Sequence, residues 1–246
     1  MKSFEFIYLC TEPFLPPLYK KVRGRLLKIA KSQSDKPAIL DVGGRKSHYT
    51  IGVPADITIS DLPRESDIQK DLNLGINQEI IEMTRKRRTN VQEVMLDDMT
   101  RSSLPSNKFN CVVAVEVLEH VEEDDDFVRE VHRVLRPGGV FLMTTPNGDS
   151  VKNTNPDHKR HYTREQLHSL LCSYFGGVEV EYAIQGGPFR KFGLRGWSIR
   201  NPWRTALSMV SNVINSIQSS PESLKYRAQG TRHLIAIAKK QGKTQL

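Results

Sequence analysis

The sequence predicts an open α/β fold, with helices on the faces of a mostly parallel β-sheet. The clearest observation is the stretch from Phe109 to Asn147, which reads as strand, acidic loop, helix, turn and strand. Two strands joined by a helix in this way form a βαβ unit and are parallel. The second observation is that strand and helix patterns alternate along most of the chain. Ligands of such sheets bind at the carboxyl ends of the strands, so the residues that follow each strand are site candidates.

Short apolar runs, several of them rich in β-branched residues, predict the strands of this sheet. We predict strands at residues 38–42, 56–60, 91–96, 109–117, 140–145, 178–183 and 231–238.

Helical periodicity lies between and around these runs. We predict helices at residues 16–32, 77–88, 127–134, 163–175 and from 202 onward. The acidic cluster at 122–126 suits the positive end of the third helix, and the Pro-Gly-Gly run at 137–139 is expected to end it. Basic residues close the second helix, where we expect a solvated face.

The chain has 246 residues, of which 38% are hydrophobic and 26% charged, as is typical of one globular domain with an elaborated end. Its net charge of +8 is unevenly spread. Residues 185–246 hold 11 lysines and arginines against one acid, Glu222, so they carry +10 and the rest of the chain carries −2. An anionic partner or membrane surface contacted by this region is one interpretation, and a solvated basic face is the other.

Other features predict a cytoplasmic protein, with peripheral membrane contact left open. No apolar run approaches the roughly 18 to 20 residues that a spanning helix needs. The first residues include Glu5 and Glu12 and lack the apolar core of a secretory signal. The cysteines have no CxxC spacing, and Cys111 and Cys172 lie in apolar patterns, so we expect buried, reduced thiols and no metal site.

Three motifs lie in and around the fourth and fifth predicted strands: VLEHV at 117–121, RVLRPGG at 133–139 and a strand ending in TPN at 145–147. Through these motifs, residues 39–175 resemble the class I methyltransferases that use S-adenosylmethionine, in particular the broad type 11 group. The resemblance implies a Rossmann-like fold with a seven-stranded sheet whose last strand is antiparallel. It also implies S-adenosylmethionine as cofactor and S-adenosylhomocysteine as product.

On this basis the chain divides into four parts. Residues 1–36 form a helical lead-in, and residues 37–184 form the α/β core that binds the cofactor. Residues 185–229 are an insertion on the acceptor side, and residues 230–246 hold the last strand and a basic tail.

The first predicted strand runs into a glycine turn that includes Asp41, Gly43 and Gly44, where a ligand can approach the backbone closely. Asp61, 20 residues after Asp41, ends the next strand and is placed to accept hydrogen bonds from ribose hydroxyls. The family motif continues with glycine where this chain has Arg45. A guanidinium matches a carboxylate well, so Arg45 is a candidate for holding the methionine carboxylate of the cofactor.

The ends of the third and fourth strands supply further candidates through the resemblance. Asp98 and the backbone amide of Met99 match the family position that recognises adenine. Glu116 and His120 lie in the loop that is near the sulfonium in the family, and we assign Glu116 to the cofactor. His120 is the candidate general base, since imidazole titrates near neutral pH, although a purely structural hydrogen bond is the alternative.

The acceptor side has its own candidates. The segment 158–163 resembles the HxRxYT element of the type 11 group, which implies acceptor contacts for His158, Arg160 and Tyr162. Packing of Tyr162 as a hydrophobic staple before a helix cap is equally compatible. In the insertion, Trp197 precedes a helix with one apolar stripe, which either covers the acceptor pocket or docks on anionic lipid.

The sequence thus favours O-methylation of a small molecule or of a lipid- or glycan-linked intermediate. An RNA methyltransferase is an alternative suggested by the basic region, but no RNA-binding domain is evident and nucleic acid is the less favoured partner. A non-catalytic protein that binds a cofactor or a partner is the third hypothesis. The oligomeric state is left open.

Overall fold

The computed structural model describes residues 2–63 and 75–242. In chain order the elements are α1 (Ser3–Thr11), α2 (Pro17–Lys31), β1 (Ala38–Val42), β2 (Asp56–Asp61), α3 (Gln78–Arg87), β3 (Val91–Leu96), β4 (Phe109–Val115), α4 (Asp124–Val134), β5 (Leu135–Pro146), α5 (Arg164–Cys172), β6 (Gly177–Gln185), α6 (Pro188–Gly193), α7 (Pro202–Gln218) and β7 (Thr231–Lys239). The last four residues of the predicted basic tail lie outside the described residues. No described helix is both long and apolar enough to cross a membrane.

These strands form a seven-stranded sheet in the order β3-β2-β1-β4-β5-β7-β6. Strands β1 to β5 are mutually parallel, and β7 runs antiparallel to both of its neighbours. The predicted fold class is therefore confirmed, including the antiparallel last strand. The strand order reverses between β1 and β4, which is the point where open α/β sheets bind ligands.

Helices bury both faces of the sheet, because successive side chains of a strand point to opposite sides. On β1, Ile39 packs with the apolar face of α2, whereas Leu40 packs with α4 and α5. The acidic first turn of α4 suits its positive end, and its apolar residues, Phe127, Val128, Val131 and Val134, are all buried.

Some local predictions were wrong. The Pro-Gly-Gly run does not end α4, which stops at Val134; the run lies within β5, where the register with β4 shifts and Gly138 has φ +77°. Arg88 is not solvated but buried, because it hydrogen-bonds inside the domain. Cys111 is buried as expected, whereas Cys172 is exposed on α5.

The long insertion helix α7 does not pack its apolar side on the domain. Its polar side is buried against the domain and most of its apolar side is exposed.

Candidate active site

The glycine turn after β1 packs closely against the end of β4. Gly43 has φ +67°, and a Cβ there would lie 2.8 Å from a methyl group of Val117, beyond the end of β4. A Cβ on Gly44 would lie 2.5 Å from the carboxyl carbon of Asp41. A single 3-10 turn, Gly44–Lys46, follows. Both glycines are therefore required by the shape of the turn.

Asp41 shapes this turn from inside the domain. Its side chain is fully buried and accepts hydrogen bonds of 2.9 Å from the hydroxyls of Tyr49 and Thr50. Arg88 donates to Thr50 at 2.8 Å and brings a positive charge close to the carboxyl group. Burial raises the pKa of Asp41 to about 6, although these hydrogen bonds and the Arg88 charge oppose the shift.

Asp61 ends β2, and Asp98 lies just beyond the end of the neighbouring strand β3. Asp61 is in register with Leu96, and the amide of Asp97 donates to the Asp61 carbonyl at 3.2 Å. Asp98 caps the next 3-10 turn through the amide of Thr100. Adjacent parallel strands thus place the two predicted cofactor acids at one edge of the sheet.

Arg45 and Met99 flank this edge. The Arg45 guanidinium donates to the carbonyl of Gly75 at 3.2 Å. Met99 is 3% exposed, and its side chain belongs to the core. Their predicted contacts, a carboxylate for Arg45 and a backbone amide bond for Met99, stay predictions.

A cavity of about 180 Å³ lies beyond the end of β4, and we call it the Glu116 cavity. It is lined by Pro16, Pro17, Leu18, Tyr19, Glu116, Ile184, Arg190, Leu194, Asn212, Asn215 and His233. Glu116 has φ +56° and Ile184 has φ +62°, a conformation that is rare for residues with a Cβ. Backbone strain of this kind clusters at functional sites, which marks the cavity as a candidate.

A chain of polar contacts runs through the Glu116 cavity. The Glu116 carboxylate accepts from Thr144 at 2.9 Å and lies 3.2 Å from Nδ1 of His233. Arg190 lies 3.0 Å from Nε2 of the same imidazole. Since an arginine can only donate, Nε2 is the acceptor and Nδ1 carries the proton toward Glu116. Removal from water favours a raised pKa of Glu116, but His233, Thr144 and Arg190 outweigh it, so the pKa is lowered.

A second polar cluster surrounds His120. Its ring meets the His158 ring edge-on, with centroids 4.6 Å apart, and its Nδ1 lies 3.1 Å from the carbonyl of Asp157. His158 is itself 2.8 Å from His161, and burial together with these neighbouring imidazoles lowers the pKa of His158. Burial and the nearby Glu116 charge raise the pKa of Glu119 well above its usual range.

This cluster also has the composition of a cation site. Glu119, His120 and His158 place one ligand atom each within 4.8 Å of one another. Carboxylate and imidazole are the ligands of many transition-metal sites. The expectation that the site holds no metal stays a prediction.

The sequence matches known proteins over part of its length. The family model described as "Methyltransferase domain" matches residues 57–143. A probable S-adenosylmethionine-dependent methyltransferase of Mycolicibacterium smegmatis is 41% identical over 96 residues, which cover 37% of this chain and 36% of that protein. The family match and this relative support a class I S-adenosylmethionine-dependent methyltransferase domain in this chain.

Solved structures agree with this fold. A methyltransferase from Archaeoglobus fulgidus superposes with a TM-score of 0.56 at 18% identity, covering 90% of this methyltransferase and 94% of that chain. The 1,6-didemethyltoxoflavin-N1-methyltransferase of Burkholderia thailandensis superposes with a TM-score of 0.55 at 14% identity, covering 91% and 78% of the two chains. At these identities the likeness shows the fold alone. The matched segment spans little more than a third of the Mycolicibacterium relative.

The residues of this methyltransferase fit the family's cofactor. The glycine turn leaves no room for a Cβ at Gly43 or Gly44, so its backbone is bare where a ligand would approach. The acids Asp61 and Asp98 lie at neighbouring strand ends, and a carboxylate there would suit the hydroxyl and amino groups of a nucleoside. Asp41 differs from these two acids, because both of its carboxylate oxygens already accept hydrogen bonds, from the hydroxyls of Tyr49 and Thr50.

The remaining predicted acceptor residues are engaged in structural contacts. Arg160 pairs with Asp124 at 2.8 Å, and the buried Tyr162 donates to the same carboxylate at 2.6 Å. Both line an open groove of about 660 Å³ beside α5, which none of the predicted cofactor residues lines. Trp197 donates its ring N–H to Ser208 of α7. These contacts favour the packing alternative for Tyr162, and the acceptor roles stay predictions.

Sequence reasoning missed His233, Tyr19 and Arg88. His233 follows two polar residues at the start of β7 and precedes its apolar run, so its segment carries no local signal of a site. Tyr19 lies in an ordinary amphipathic helix, and Arg88 in a run of four basic residues. Their positions in the site follow from strand order and helix packing, which one sequence does not show.

Proposed function

We propose that this methyltransferase transfers the methyl group of S-adenosylmethionine to an oxygen of an acceptor that enters the Glu116 cavity. The observation that carries the proposal is the chain of polar contacts from Glu116 through His233 to Arg190, in a cavity beyond the end of β4. The cofactor supplies an activated methyl group, so the protein has mainly to position the acceptor and remove its proton.

His233 is suited to hold that proton. Its Nδ1–H points to the Glu116 carboxylate, which fixes the tautomer and stabilises the imidazolium that would form. An acceptor hydroxyl that replaces the Arg190 contact would lie against Nε2, the lone-pair nitrogen. His120, the base predicted from the sequence, is a second candidate and is tested beside it.

Arg190 favours an acceptor with a negative group close to the reacting oxygen. Burial and the nearby Arg232 charge lower the pKa of Arg190. Arg190 lines the cavity, so its guanidinium would stabilise an anion that binds there. The insertion predicted at 185–229 supplies Arg190, Leu194, Asn212 and Asn215 to the cavity wall. This supports its role as the acceptor-side cover, and the acceptor class we propose is an anionic small molecule or a lipid- or glycan-linked phosphate.

Two measurements test the proposal in sequence. Calorimetry with S-adenosylmethionine and S-adenosylhomocysteine tests the cofactor, and the expected result is saturable binding of both. Incubation with methyl-labelled cofactor and fractionated cell extract then tests transfer, with the label expected in an alkali-stable methyl ether or an ester of an anionic compound. Absence of cofactor binding would support the non-catalytic hypothesis, and label in RNA would support the nucleic-acid alternative.

A further inference from the structure

Helix α7 is oriented with its polar side inward. The residues of α7 that are buried against the domain are polar: Ser208, Ser211, Asn212 and Asn215. The residues on the opposite side are apolar and mostly exposed: Trp203, Ala206, Leu207, Val210, Val213, Ile214 and Ile217. A surface helix of a globular domain ordinarily shows the reverse.

Hydrogen bonds hold α7 in this orientation. The Asn212 side chain donates to the carbonyls of Phe14 and Gly193, each at 3.0 Å, and Asn215 donates to the carbonyl of Gln185 at 2.8 Å. The Ser208 hydroxyl lies 2.9 Å from the Gly193 carbonyl. Turning the helix to bury its apolar side would break these hydrogen bonds and leave the accepting carbonyls without these donors. The apolar side therefore faces outward because the polar side is anchored.

The exposed apolar surface is extensive. Trp203 is 85% exposed, Val210 57% and Ile217 68%, and Ile199 in the preceding loop is fully exposed. A helix of 17 residues is about 25 Å long, so this stripe is continuous over several turns. Contiguous exposed apolar surface of this kind marks a contact with a membrane or a partner.

The charge around the stripe indicates which of these it is. Residues 185–221 contain no aspartate or glutamate. Arg195, Arg200 and Arg204 are exposed in the loop and the first turn of α7. In a two-fold dimer through this face the same patch would meet itself, which brings arginine near arginine. An anionic surface with an apolar interior matches both features.

We propose that α7 and the loop before it dock in the plane of an anionic lipid bilayer. The apolar stripe lies among the acyl chains, Trp203 lies at the headgroup level, and the arginines contact lipid phosphates. The inner side of the same helix lines the Glu116 cavity, through Asn212 and Asn215, so docking would bring that cavity close to the membrane. The docking itself does not depend on methyl transfer.

Vesicle co-sedimentation of the full chain tests this inference. We expect binding to phosphatidylcholine vesicles that contain phosphatidylglycerol, weakened by added salt, and little binding to phosphatidylcholine alone. The double variant W203S/I217S should lose about tenfold or more in vesicle affinity, since it removes two large inserted side chains. The matched control L96S/Y226S removes two other exposed apolar side chains, 50% and 75% exposed, and should bind as the wild type.

Three further readouts make the result decisive. R200Q/R204Q should weaken binding to the anionic vesicles while keeping the apolar stripe. In W197F, Trp203 is the one remaining tryptophan, and its emission should shift to shorter wavelength on vesicle binding. Thermal unfolding checks that each variant is folded. The inference is overturned by a folded wild type that binds neither vesicle, by equal losses in the two double variants, or by light scattering that shows a dimer dissociated by W203S/I217S without vesicle binding.

Discussion

Glu116 and His233 meet beyond the carboxyl end of β4, with the carboxylate 3.2 Å from Nδ1 of the imidazole, although 117 positions separate them in the chain. The pairing depends on the insertion of β7 between β5 and β6, which carries His233 beside Pro146. It depends also on the left-handed backbone of Glu116, which turns the chain away from β4. The candidate acceptor site is thus built from the last strand of the sheet as well as from the motifs of the core.

The proposed base is tested by matched histidine variants. His233→Gln should lower kcat by about 10²- to 10⁴-fold, the usual contribution of a general base, with little change in cofactor affinity. His120→Gln is the comparison, and a larger loss there would assign the role to the base predicted from sequence. Normal kcat across the pH profile in both variants would contradict general-base catalysis by either.

The ribose assignment is tested at the two ends of β2. Asp61→Ala should weaken cofactor binding by roughly 1.5–3 kcal/mol, the scale of hydrogen bonds to a charged group. Asp56→Ala changes the same residue type at the opposite end of the strand, where Asp56 pairs with Lys36, and should leave the affinity unchanged. Calorimetry measures both, and equal affinities in the two variants would remove Asp61 from the site.

The role of Arg45 is tested with two ligands. Arg45→Ala should weaken S-adenosylhomocysteine far more than 5′-methylthioadenosine, which lacks the carboxylate that the guanidinium is expected to bind. Arg85→Ala, on the exposed end of α3, is the control for general charge effects. Equal losses of affinity for both ligands would show that Arg45 acts on the fold of the turn, for example through Gly75, and not on the carboxylate.

The buried Asp41 should make stability depend on pH. Its pKa is raised from 3.8 to about 6 in the folded protein, so the folded state binds the extra proton more tightly than the unfolded chain. The stabilisation by this proton is fully present below pH 3.8 and is lost as the pH rises through about 6. The loss of stability amounts to about 2–3 kcal/mol. The unfolding free energy of Asp41→Asn relative to the wild type should therefore rise between pH 4 and 7, as measured by urea unfolding. A constant difference would show that Asp41 ionises normally.

The anionic acceptor is tested through Arg190. Arg190→Gln should raise the acceptor KM by about tenfold or more, because a hydrogen-bonded ion contact contributes about 1.5–3 kcal/mol. Lys191→Gln, in the same segment but exposed, is the matched control. Cofactor affinity should be unchanged in both. A neutral acceptor whose KM is the same in Arg190→Gln and at high salt would contradict the role assigned to Arg190.

Much of the fold followed from local patterns in the sequence. Strand β1 is an apolar run that is buried on both faces, and its bounds were predicted to the residue. The bounds of the edge strand β3 were also predicted to the residue, although this strand is partly exposed, and other strands were predicted to within a few residues. Glycines that need a bare backbone and acids at strand ends likewise leave a local signal, as at Gly43 and Asp61. The seven-stranded order and its antiparallel strand came from the family resemblance, since periodicity does not specify which strands are neighbours.

Residues that are close together in the chain specify the α/β class, the approximate strand positions and the candidate cofactor residues. The acceptor side depends on contacts between distant elements, which appear only in the folded structure. His233, Arg190 and Tyr19 reach Glu116 from three distant elements, and nothing local in their segments indicates a shared cavity. The orientation of α7 depends on such contacts too. From the sequence, its apolar stripe is compatible with covering the acceptor pocket or with docking on lipid, and hydrogen bonds from Asn212 and Asn215 to distant carbonyls turn the stripe outward.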